Sequence, residues 1–98
     1  MQANTKLNTW EKENLKGMRL EQTGAQVLNL DNCTTMVFQD MGNTVKFALS
    51  VMAPTEKKFR PKVGEYFARM RFGSDQTVAI SHTDFAVMCE CVWGAYPL

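Results

Sequence analysis

The stretch "VGEYFARMRF", from Val63 to Phe72, decides the fold, because two periods compete in it. At helical spacing Val63, Phe67 and Met70 share a face. At strand spacing Tyr66, Ala68, Met70 and Phe72 oppose Glu65, Phe67, Arg69 and Arg71. The alternation is the cleaner pattern, and Gly64 weakens a helix. Gly73-Ser74-Asp75-Gln76 also reads as a hairpin turn into "TVAIS", where Val78 and Ile80 share a face. The spacing therefore predicts a strand over 65–72.

Upstream, "PTEKKFRPK" is a basic loop bounded by Pro54 and Pro61. Before it, "TTMVFQDMGNTVKFALSVMA" (Thr34–Ala53) reads as two strands around Asp40-Met41-Gly42-Asn43. Gly-Asn suits the reversal because both residues tolerate positive φ. Period two places Val45, Phe47, Leu49, Val51 and Ala53 on the core face, with Lys46 and Ser50 on the other. Pro54 ends the strand, since it has no N–H to give. Residues 1–17 are polar and read as a flexible arm with Trp10 as its anchor. From Met18 to Leu30, β-like pieces flank Thr23-Gly24.

Downstream, Ser81-His82-Thr83-Asp84 is a capping box ahead of an apolar run. Phe85, Met88, Cys89 and Val92 form a stripe at i, i+3, i+4 and i+7, and Gly94 and Pro97 stop the helix. The far side of that helix carries Ala86, Val87, Cys91 and Trp93, too apolar for water alone. Val87, Cys91, Trp93 and Tyr96 are therefore expected to meet a partner, most economically a second copy of the chain. Strands followed by a terminal helix imply an α+β fold: a mostly antiparallel sheet of four to six strands packed by one C-terminal helix, forming a single domain over 18–98.

The bulk numbers fit one small domain. The chain has 98 residues, 45% of them apolar, and a formal net charge of +1. Its charge is unevenly placed. Lys57, Lys58, Arg60, Lys62, Arg69 and Arg71 face only Glu65 between residues 57 and 72, a net of +5, so the remainder carries −4. Such a layout steers an anionic partner to one face. Three cysteines argue against a disulfide framework, and no run is long enough to span a membrane, so a cytoplasmic setting is the simplest expectation.

Catalytic and metal signatures are weak. Cys89 and Cys91 at i and i+2 of a helix point about 200° apart and cannot close on one ion. His82 is the single histidine, and a structural zinc site needs about four ligands. No thiolate–base arrangement and no phosphate-cradling glycine loop stands out. No catalytic residue, metal or cofactor is expected, and the chain reads as a non-enzymatic protein. What remains is the basic, aromatic segment. Cations that follow a backbone and aromatic faces that stack bases are the chemistry of single-stranded nucleic-acid binding. The plain alternative is that these cations solvate a loop and a sheet face while every aromatic is core.

From about Gly42 to Gly94, the order hairpin, basic loop, hairpin, terminal helix resembles the transcriptional-coactivator type of single-stranded-DNA-binding domain. The stretch "VAISHTDFAVMCECVWG" carries most of it, through Ile80, Ser81, Asp84 and Phe85. The resemblance implies a homodimer paired through its helices and a curved sheet that holds single strands. Together with the residue pattern, it nominates Lys46, Lys57, Lys58, Phe59, Arg60, Lys62, Phe67, Arg69 and Arg71 as contacts to single-stranded DNA or RNA. A protein-interaction or inhibitor module docking through the apolar helix face is the other reading.

Overall fold

In the computed structural model, which describes residues 6–53, 56, 58–74 and 76–94, the deciding stretch is helical. The chain runs α1 (Thr9–Glu21), β1 (Gln26–Asn29), β2 (Thr34–Asp40), β3 (Thr44–Val51), α2 (Pro61–Phe72), β4 (Val78–Ser81) and α3 (His82–Trp93). Pro54, Lys57, Asp75, Tyr96 and Pro97, to which the sequence assigns roles, lie outside the described residues. The four strands form one antiparallel sheet in chain order, and the C-terminal helix packs on it. The fold is α+β.

The β2–β3 reversal forms where the sequence puts it. Asp40 pairs with Val45, and the Met41 amide donates to the Thr44 carbonyl at 2.8 Å. Gly42 takes φ of 96° at the first central position, which a side chain would resist; Asn43 stays out of the left-handed region. Val45 and Phe47 face a core shared with Met36, Phe38, Phe85 and Cys89. Ile80 pairs with Val45 and Val78 with Phe47, so both lie on this face.

The opposite face holds the main correction. Ala68 and Phe72 of α2 pack there against Val37 and Ala48, and Thr35 and Ser50 are buried with them. A sheet face expected to meet solvent is thus covered by the very segment expected to extend the sheet. Pro61 sits in the first turn of α2, where its missing N–H costs nothing. Gly64 does not break the helix. It lets α2 approach the sheet, because a Cβ there would collide with the Thr35 hydroxyl. The Gly73–Gln76 stretch joins a helix to a strand rather than two strands; the Gly73 amide closes the helix on the Arg69 carbonyl at 3.0 Å.

The polar arm is also corrected. Asn8 and Glu11 form a reciprocal capping box, with bonds of 2.8 and 2.9 Å, that starts α1. The expected boundary at residue 17 falls inside this helix. Leu7, Leu15 and Met18 dock on Tyr66, Val63 and Phe67 of α2, while Trp10, the expected anchor, is 69% exposed. Helix α2 is therefore sandwiched between the sheet and α1. Of the β-like pieces on either side of Thr23-Gly24, only β1 is a strand, and Met18–Glu21 complete α1.

The Ser81 hydroxyl accepts the Asp84 amide at 3.0 Å and starts α3, although only this half of the expected box forms among the described residues. Gly94 closes the helix in the left-handed conformation, φ 71°. Phe85 and Cys89 are fully buried and Met88 and Trp93 pack beside them, so the inner stripe runs i, i+3, i+4, i+8. Val92, expected in that stripe, is 61% exposed. Trp93 is turned inward and is not part of the outer face. Val87 and Cys91 are exposed, as the sequence places them.

Candidate anion-binding groove

The row Arg69, Phe67, Arg71 expected along a strand is taken apart by the helix. The Arg69 guanidinium is buried, and its Nε donates to the Glu65 carboxylate at 2.7 Å. Phe67 lies edge-on to Tyr66, ring centres 5.2 Å apart, in the α1–α2 cluster. Arg71 reaches back to the Leu49 carbonyl at 2.8 Å. Lys46 sits over the Phe72 ring at 4.4 Å on the covered sheet face. None of these four belongs to a common surface for a ligand, and Lys57 lies outside the described residues.

The other four nominated residues do come together. Lys58, Phe59, Arg60 and Lys62 line one open groove of about 500 Å³. Lys6 and Lys12 complete its wall from the other side, brought there because α1 docks on α2. Phe59, Val63, Pro61 and Leu7 supply its apolar lining. Five cations thus ring the groove, and none of the described lining residues is acidic. The four lysines are exposed, and among the described residues none has an acidic partner. Along α1 the depression continues past Lys16 and Arg19, but those two are answered by Glu13 at 3.6 Å and Glu65 at 2.6 Å. Unanswered positive charge is concentrated in the first part.

The first turn of α2 opens into this groove. Arg60 is its N-cap and makes no side-chain cap, and no acid occupies the first turn. Pro61 has no N–H, so the Lys62 and Val63 amides carry the helix's positive end there. The Arg60 Nε is buried with no hydrogen-bond partner. Behind Phe59 and Arg60 lies a second space of only about 40 Å³, room for little beyond water.

No family model, curated protein or solved structure matches this chain. Function must therefore be read from the groove itself. Among the described residues its lining is lysine, arginine and apolar side chains, a set suited to attracting and holding negative charge. The reactive residue types lie elsewhere. His82 is tied to the β2–β3 turn, its Nε2 at 3.0 Å from Asp40 and 3.1 Å from the Gly42 carbonyl. Burial pushes the Cys89 thiol up, away from thiolate chemistry. Among the described residues no group of three possible ligands is placed to hold a metal, and no helix is long and apolar enough to cross a membrane.

Lys6 and Lys12 escape a sequence reading that treats residues 1–17 as an arm. The signal was present: Asn8 and Glu11 at capping-box spacing start a helix, and Leu15 and Met18 at i, i+3 give it a docking face.

Proposed function

We propose that this chain is a non-enzymatic protein that binds single-stranded nucleic acid. The sugar-phosphate backbone lies among Lys6, Lys12, Lys58, Arg60 and Lys62, and Phe59 offers a face for a base. The observation that carries this reading is the ring of five cations around a groove with an apolar lining, four of them lysines without an acidic partner among the described residues. Neutral-pH phosphate is the anion such sites meet most often in a polymer, and the apolar lining suits a base better than a carboxylate side chain. The sheet-face mode implied by the coactivator-type resemblance is not available, because α2 and α3 cover the two faces.

Labelled single-stranded oligonucleotide, followed by fluorescence anisotropy, tests the reading. With about four phosphates neutralised, log K should fall with log salt at a slope near −3. Changing Lys12, Lys58 and Lys62 together to alanine should flatten that slope and weaken binding to all sequences alike. Phe59→Ala should cost about 1–3 kcal/mol of binding if a base stacks there. Absence of any signal at low salt, with protein on the order of 10⁻⁴ M, would end the proposal.

A second reading rests on the outer face of α3. Val87 is 55% and Val92 61% exposed, beside Cys91, on a helix whose inner face is already used. A second copy packed on this face would give the dimer mass by light scattering, and Val87→Lys would return the monomer. A monomer at every concentration removes the homodimer.

A further inference from the structure

We infer, resting on the nucleic-acid reading above, that the groove selects a terminal phosphate group carrying more than one negative charge, rather than an internal backbone phosphate. Three observations converge. First, along a passing strand the exposed lysines answer phosphates on either side of the groove, while the groove itself seats one phosphate group. At about 500 Å³ the groove is in the small-ligand range and has room for roughly one nucleotide. An internal phosphodiester brings one negative charge to a site ringed by five cations. A terminal phosphomonoester brings close to two at neutral pH, and a terminal polyphosphate brings more.

Second, the α2 first turn is an open anion position. The Lys62 and Val63 amides lack a capping side chain, no acid fills the turn, and both residues line the groove. Backbone N–H groups at a helix start take a compact phosphate head-on, which an end group can present more freely than a diester constrained on both sides. Third, Arg60 stands at the cap of this turn with its Nε buried and unpartnered. Burial closes the Nε to the groove, so Arg60 offers its terminal N–H groups, which have no acidic partner among the described residues and suit two oxygens of one phosphate.

The chemistry is that of a phosphomonoester or polyphosphate, which comes either at a strand end or on a free nucleotide. Anisotropy with one short oligonucleotide in three forms, bearing a 5′-phosphate, a 3′-phosphate or hydroxyls at both ends, tests it. One phosphorylated form should bind about tenfold or more tightly than the hydroxyl form. That advantage should shrink as pH falls below about 6, where the second charge is lost. Arg60→Gln and, independently, the exposed Lys62→Ala should each lower binding of the phosphorylated form by a larger factor than binding of the hydroxyl form, so that the advantage is lost. An equal drop in all three forms would assign these residues to strand binding alone and overturn end selection.

A circular single strand that competes as well as the phosphorylated linear form overturns end selection, and so does equal affinity of the three forms. Either result leaves the nucleic-acid reading standing. A nucleoside triphosphate that binds while no oligonucleotide does keeps the terminal-phosphate chemistry and overturns the strand. If neither binds, both fall.

Discussion

Replacing Glu65 with alanine is expected to destabilise the protein by about 3–5 kcal/mol. The Glu65 carboxylate receives Arg19 through two bonds of 2.8 and 2.6 Å and Arg69 through one of 2.7 Å. The Arg69 side chain is only 8% exposed, and its remaining partner is the Gln22 side chain at 3.2 Å. Without Glu65 a buried cation keeps its desolvation cost and loses its counter-charge. Against a total stability of roughly 5–15 kcal/mol, the loss is large.

Acid should reproduce part of it. The Arg19 hydrogen bonds, then that of Arg69, hold the Glu65 carboxyl below its ordinary value, against the opposing push of burial. A carboxyl whose folded value is depressed contributes fully above its unfolded value, about 4.3, and loses that contribution as pH falls through the lower folded value. Denaturant melts of wild type should therefore weaken on acidification below about pH 4, and Glu65→Gln should remove that component. A Glu65→Ala cost below about 1 kcal/mol would place the network with ordinary surface pairs and refute its structural weight.

Phe85→Ala should cost about 3–5 kcal/mol through lost burial and the cavity left behind. The Phe85 ring is fully buried, 6.0 Å from Phe38 and 5.7 Å from Phe47 between ring centres. It joins α3 to the centre of the sheet. Val92 belongs to the same helix and the same expected stripe but is exposed, so Val92→Ala should stay within about 0.5 kcal/mol. Equal effects of the two substitutions in chemical denaturation would show that α3 is seated differently on the sheet.

Where local patterns coincide with the final environment, the sequence is readable. The β2–β3 hairpin announces itself through Gly42-Asn43 and alternating apolar residues, and α3 through Ser81, Asp84 and Gly94. The class of fold follows from those elements. The α2 segment is opaque for a physical reason. It is covered by the sheet on one side and α1 on the other, so buried positions fall at Glu65, Tyr66, Ala68, Arg69 and Phe72 and no single polar stripe survives. Two charged residues inside it are buried only because they meet each other and Arg19 across 46 residues of chain. The Glu65–Arg69 pair is local, at i, i+4 of a helix, but nothing local encodes its meeting with Arg19. The groove was half legible: Lys58, Phe59, Arg60 and Lys62 stand in one short run, whereas Lys6 and Lys12 arrive by tertiary docking.

That docking makes the groove a structure with two banks. One bank, with Lys6, Leu7 and Lys12, belongs to α1 and its approach; the other, from Lys58 to Val63, belongs to α2 and its approach. The banks are joined by Leu7, Leu15 and Met18 resting on Tyr66, and by the reach of Arg19 to Glu65. Whatever bridges the banks lends its own affinity to keeping them together. Peeling α1 away abolishes the shape that collects the cations, and neutralising Glu65 loosens it, although the cations themselves remain.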